Sequence, residues 1–305
     1  MLRKRRTYIA LAVFLLVGYS AQGNLSGYLG YEDEGEYFFA DGVKLHYLDE
    51  GAGEPVILLH GYGMNMEITW RQPGAFDALV GDGFRAIALD MRGHGYSAKP
   101  YAEERYGTEM VEDVVRLMDH LGIEKAHIAG NSLGALVGIK MLELHPDRMR
   151  SLIACGMGYM RYEGEAKQAA ENLTASLARG GGFEPLIRYL QPPDEPIGWM
   201  EVSAGDALVR MWNDEHALLE MTRAMPQLEP DPAALRRTDV PVLNLIGAKD
   251  PLIENVDKLG ALVPDHQKVV IEGASHFTLI GSPGTIDTML EFLEAHRTDA
   301  LPPMA

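Results

Sequence analysis

The sequence predicts an α/β protein: a mostly parallel central sheet flanked by helices and interrupted by one inserted helical subdomain. Two observations carry that reading. Short apolar runs bounded by glycine or charge alternate with longer stretches of helical period, the pattern of crossover units over a buried sheet. The alternation then stops between about Gly158 and Asp239, where no strand pattern occurs and Met, Trp, Glu, Pro and Gly dominate. A chain of 305 residues, 47% hydrophobic and 23% charged, is long enough for one large core plus such an insertion.

Taken in order, the chain opens with Arg3, Lys4, Arg5 and Arg6, followed by an apolar run from Tyr8 to Tyr19 and small-x-small pairs at Gly18/Ser20 and Ala21/Gly23. Residues 1–23 are expected to be a signal peptide for export to a periplasmic or secreted location. An uncleaved membrane anchor is the alternative, and the run is shorter than the roughly 20 residues that span a bilayer. A hairpin follows, Glu36 to Ala40 and Val43 to Leu48 around Asp41-Gly42. Further strands are expected at Pro55–His60, Phe84–Asp90, Ala126–Gly130, Arg150–Cys155, Val240–Gly247 and Gln267–Glu272. Helices are expected at Thr108–Leu121, whose apolar residues fall on one face, and at Leu133–His145, stopped by Pro146. A last helix is expected at Pro283–His296, with Ser282 as cap and Pro283 in the first turn. The core is thus 24–157 and 239–305, and the insertion 158–238.

Bulk properties narrow the partners. Against 44 acidic side chains stand 27 basic ones, a formal net charge of −17. Residues 1–23 hold four of the basic residues and none of the acids, so the rest carries 44 acids against 23 bases. Such a surface repels polyanions, and nucleic acid is not an expected partner. The one cysteine, Cys155, ends an apolar run, where a small buried hydrophobe is the expectation, and no internal disulfide can form.

The chemistry-bearing signal is Gly130-Asn131-Ser132-Leu133-Gly134, a G-x-S-x-G sequence between an expected strand and an expected helix. A nucleophile on so sharp a turn needs glycine two residues before and two after, where side chains would collide. Nine serines and 33 glycines in 305 residues yield about 0.1 chance matches, before the strand and helix are required. A serine hydroxyl needs a base to take its proton and a carboxylate to orient the base. Asp250 follows the strand ending at Gly247, and His276 follows the one ending near Glu272. In a parallel sheet both loops leave at the carboxyl edge, with Ser132. Ser132, Asp250 and His276 are the candidate nucleophile, orienting acid and general base. Taken singly, Asp250 reads as a turn residue and His276 as a loop histidine. Backbone N–H groups of Leu133 and Tyr62 are the candidate oxyanion donors, and His60 reads as a structural loop residue. This chemistry calls for no cofactor and no metal.

On His60-Gly61-Tyr62-Gly63, the run Asp90 to Ser97, the Gly130 to Gly134 turn, Gly247-Ala248-Lys249-Asp250 and Gly273-Ala274-Ser275-His276-Phe277, the chain resembles the α/β-hydrolase family from about residue 37 onward. The resemblance implies that Asp90 to Ser97 is a structural loop beside the site and that the insertion is a lid. Dehalogenases and epoxide hydrolases of this fold use aspartate where Ser132 stands, which disfavours those activities. The Gly-Asn-Ser turn is similar to that of carbon-carbon bond hydrolases, but Gly63-Met64-Asn65-Met66 replaces their oxyanion loop, and the three glycines of lipases are missing. The expectation is therefore hydrolysis of a small-molecule carboxylic ester with an apolar portion. Lactone or carbon-carbon cleavage, perhydrolysis with the same triad, and a non-enzymatic ligand-binding protein on the same scaffold are the alternatives. Met157, Met160, Met200, Met211, Met221, Met225, Trp199 and Trp212 could line an acyl pocket, although the plainer expectation is that most pack the insertion's own helices.

Overall fold

The computed structural model describes residues 35–192, 194–195 and 197–298. The candidate signal over residues 1–23, and the Met211 side chain, lie outside what is described. The chain opens with the hairpin β1 (Glu36–Ala40) and β2 (Val43–Glu50). Asp41 and Gly42 hold φ of 46° and 76°, the primed-turn geometry that matches strand twist. There follow β3 (Pro55–Leu59), α1 (Ala75–Gly81), β4 (Arg85–Asp90), α2 (Glu109–His120), β5 (Ala126–Asn131), α3 (Leu133–Leu144) and β6 (Met149–Cys155). The inserted region contributes α4 (Gly164–Leu177), α5 (Glu184–Tyr189), α6 (Trp199–Trp212), α7 (Glu215–Ala224) and α8 (Pro232–Leu235). The chain returns through β7 (Val242–Gly247), α9 (Ile253–Gly260), β8 (His266–Ile271) and α10 (Thr285–Ala295).

The eight strands form one sheet in the order β1-β2-β4-β3-β5-β6-β7-β8. The hairpin joins β4 antiparallel, and every pairing from β4 to β8 is parallel. Strand alternation divides the interior into two layers. Ile57, Leu59, Ile87, Leu89, Ile128 and Leu152 face α2, α3 and the insertion. Val56, Leu58, Ala129, Ile153, Leu243 and Leu245 face Trp70, Phe76 and the apolar side of α10. A sheet covered on both faces explains why its central strands read as unbroken apolar runs. Cys155 is fully buried among them, and burial pushes its thiol up to about 12, so it behaves as a hydrophobe.

The expected strands are present with ends displaced by one or two residues. The last helix differs more. It begins at Thr285, capped by Gly284 at φ 85°, and neither Ser282 nor Pro283 is part of it. Ser282 Oγ donates to the Thr278 carbonyl and Thr285 Oγ1 to that of Leu279, so these hydroxyls close the preceding turn. Two short helices, α1 and α9, and a π-helical turn at Glu67–Arg71 were not expected from the pattern.

Candidate active site

Ser132 lies between the last residue of β5 and the first of α3, at φ 51° and ψ −107°. That backbone is costly for a residue with a Cβ, and it persists only because its surroundings fix it. The Ser132 N–H donates to the Cys155 carbonyl at 2.8 Å, Gly134 N–H to that of His60 at 3.1 Å, and Leu136 N–H to that of Ser132 at 3.0 Å. A Cβ at Gly130 would stand 2.3 Å from the Gly134 carbonyl carbon and oxygen, and one at Gly134 would stand 2.2 Å from the Leu59 carbonyl oxygen. Both glycines of the motif are thus required by close approach, the second of them to β3.

Asp250 and His276 occupy the loops after β7 and β8, and the two loops are tied together. Ala248 N–H donates to the Ile271 carbonyl at 3.0 Å and Lys249 N–H to that of Ala274 at 2.9 Å. Asp250 is 2% and His276 7% exposed. One Asp250 oxygen accepts the Leu252 N–H at 2.9 Å, and the other lies 2.9 Å from His276 Nδ1. A carboxylate only accepts, so Nδ1 carries the proton and leaves Nε2 with its lone pair toward Ser132 Oγ, 3.0 Å away. Residues 118 and 26 positions apart in sequence thus form one continuous hydrogen-bonded line.

Leu133 N–H and Tyr62 N–H donate to no protein acceptor among the described residues, while the neighbouring Gly63, Met64 and Gly134 N–H groups are all engaged. The Gly61–Tyr62 peptide is held from its far side, because the Gly61 carbonyl accepts both His60 Nδ1–H at 2.8 Å and Met64 N–H at 3.1 Å. Across a trans peptide the Tyr62 N–H points the opposite way, so its direction is set before any ligand arrives. A Cβ on Gly61 would lie 3.6 Å from Ser132 Cβ, which places this loop against Ser132.

The loop from Asp90 to Ser97 braces this arrangement. Met91 N–H donates to His60 Nε2 at 3.0 Å and Gly63 N–H to His94 Nε2 at 3.1 Å. Both rings are buried, and burial lowers both imidazoles, His94 well below its ordinary value, which keeps each neutral and able to accept. Burial would raise Asp90, but the bonds from His46 and from Met66 N–H hold its carboxyl below the usual range. Arg92 is clamped to Asp113 at 2.5 and 2.6 Å. None of the four side chains of His60, Asp90, Arg92 and His94 hydrogen-bonds Ser132 among the described residues.

Sequence reasoning missed the side chains by which the insertion grips the Tyr62 loop. Tyr62 Oη lies 2.8 Å from Thr222 Oγ1, and Asn213 Nδ2 donates to the Gly63 carbonyl at 2.7 Å. No local pattern marks such partners, because they lie 160 and 150 positions away. The apolar residues of the insertion follow the plainer expectation in part. Met157 and Met221 are buried, and Met160 and Met225 pack against the core, whereas Trp199 and Met200 are 74% and 59% exposed.

A parallel sheet with a strained serine turn and a hydrogen-bonded Ser-His-Asp line at its carboxyl edge is the architecture of a hydrolase of α/β fold. A family model described as the alpha/beta hydrolase fold matches residues 54–182. A 2-hydroxy-6-oxo-6-(2'-aminophenyl)hexa-2,4-dienoic acid hydrolase of Metapseudomonas resinovorans is 27% identical over 259 residues, covering 80% of this chain and 85% of that protein. A haloalkane dehalogenase of Mycolicibacterium paratuberculosis is 28% identical over 263 residues, covering 77% and 82%. A solved structure from work on carboxylesterases of the Thaumarchaeon Nitrososphaera gargenis superposes with a TM-score of 0.72 at 21% identity, covering 86% of this chain and 98% of that one. The chain has the α/β-hydrolase fold, and its residues 54–182 are similar to the alpha/beta hydrolase family model.

Proposed function

We propose that the protein hydrolyses a carboxylic ester through an acyl-enzyme on Ser132. The observation that carries this is the 3.0 Å contact between Ser132 Oγ and the lone pair of His276 Nε2, backed by Asp250. In this reading Oγ attacks the ester carbonyl while Nε2 takes its proton, and the carbonyl oxygen becomes an oxyanion held by Tyr62 N–H and Leu133 N–H. The imidazolium, stabilised by Asp250, returns the proton to the leaving alkoxide. A water then attacks the acyl-enzyme by the same route and frees Ser132.

Displacement of halide, or opening of an epoxide, would follow a different course at a serine. Attack at a saturated carbon leaves a serine alkyl ether, which offers water no carbonyl to attack, so turnover would stop after one cycle. The chemistry of Ser132 therefore favours acyl over alkyl substrates. Cleavage of a carbon-carbon bond beside a ketone is the second reading. It uses the same residues and is supported by Asn131 in the serine turn and by the hexadienoic acid hydrolase relative.

A fluorophosphonate probe is expected to label folded protein at Ser132 alone, and Ser132→Ala to abolish both labelling and turnover of p-nitrophenyl esters. Loss of a triad member lowers kcat by roughly 10⁴- to 10⁶-fold in such enzymes. Folded protein that takes no label would overturn the reading. A panel of esters, lactones and vinylogous diketones ranks it against carbon-carbon cleavage.

A further inference from the structure

We infer that the inserted helices complete the oxyanion hole, with Asn213 and Thr222 as positioning residues that hold the Tyr62 loop together with His60 and His94. This rests on the reading of Ser132 as an acyl-transfer nucleophile. The core alone fixes one end of the loop, through His60 on the Gly61 carbonyl and His94 on the Gly63 N–H. The other contacts come from the insertion. Asn213 Nδ2 donates to the Gly63 carbonyl at 2.7 Å and to the Val209 carbonyl at 2.9 Å. Two carbonyls facing one amide group leave a single sensible orientation, with nitrogen toward both, and the outcome is a buried Oδ1 that has no partner among the described residues. An amide left half satisfied for a mere helix end is poor value, since the Asn213 backbone N–H already caps Val209 at 3.1 Å.

Thr222 makes the second contact. Its hydroxyl donates to the Leu218 carbonyl at 2.7 Å and lies 2.8 Å from the Tyr62 phenol, which reaches the same carbonyl at 3.3 Å. Thr222 is fully buried, and burial raises the Tyr62 phenol, which stays protonated and able to donate. The Tyr62 ring also meets Phe183 of the insertion edge to face at 6.2 Å. One residue thus offers its backbone N–H to the site and its side chain to the insertion. A shift of α7 or of the Asn213 turn is transmitted to the oxyanion donor through two short hydrogen bonds. Acyl substrates that displace the insertion lose kcat as well as affinity.

The test uses three near-isosteric variants of the full chain, Tyr62→Phe, Thr222→Val and Asn213→Asp. Each is expected to lower kcat for a p-nitrophenyl ester by about 10- to 100-fold, less than deletion of a whole donor, with KM changed less than threefold. The Ki of an aryl trifluoromethyl ketone, whose adduct on Ser132 places an oxyanion in the hole, should weaken in parallel. Because Tyr62 and Thr222 share one bond, the double variant Tyr62→Phe/Thr222→Val should lose no more than the worse single one. Thermal melting checks that each variant is folded. Variants that melt lower but keep wild-type kcat and Ki show a purely structural role and overturn the inference while leaving the esterase reading intact. A wild type that neither labels nor turns over overturns both.

Discussion

Replacing Ser132 by glycine and by alanine separates the backbone strain of the turn from its chemistry. Both substitutions remove Oγ and with it the bond to His276 Nε2, so they differ only in Cβ. At φ 51° and ψ −107° that Cβ crowds the flanking carbonyls, outside even the small left-handed region open to L-residues. Positions of this kind cost about 1–3 kcal/mol. Glycine releases the strain but gives the unfolded chain about 0.5–1 kcal/mol of extra freedom. The balance makes Ser132→Gly more stable than Ser132→Ala by about 0.5–2 kcal/mol, a few degrees in Tm for a chain of this size. Urea unfolding of the two variants side by side, with equal m values, measures the difference, and neither should turn over esters. An alanine variant as stable as the glycine variant, or more so, would refute the claim that three flanking hydrogen bonds hold the serine in a strained backbone.

Two further perturbations test the scaffold. Gly130→Ala sets a Cβ 2.3 Å from backbone atoms of α3, which cannot yield cheaply, and should cost about 3 kcal/mol along with the activity. Gly81→Ala, at the end of α1 with nothing within 4 Å, should stabilise by about 0.5–1 kcal/mol, and urea midpoints moving the same way in both variants would contradict the packing argument. Stability should also fall on acidification. Burial lowers His60, His94 and His127, so below about pH 6.5 the unfolded chain binds protons that the native state refuses. Each such histidine then removes up to about 1.4 kcal/mol per pH unit. Asp113, pushed by burial up to about 6, opposes them between roughly pH 6 and 4, because the folded carboxyl takes its proton first. One carboxyl does not offset three histidines, and urea midpoints that hold steady or rise from pH 7 to 5 would contradict the assignment.

Much of the scaffold could be read from the residues because the signals were local. Buried parallel strands show as apolar runs, α2 as an apolar stripe, and the serine turn as two glycines around one serine. Short elements escaped, since seven residues in α1 and eight in α9 hold too few turns to show a period. At α10 two competing start signals met. The left-handed Gly284 prevailed over Ser282-Pro283, because the serine hydroxyl had a carbonyl of the previous turn within reach.

The sequence by itself determined the serine turn and the loops that carry Asp250 and His276, because topology sends every loop after a parallel strand to one edge. The tertiary structure alone decided what grips the Tyr62 loop. Hydrogen bonds that join residues 150 or more positions apart depend on the path of the inserted helices over the sheet, and no periodicity or turn residue encodes that path.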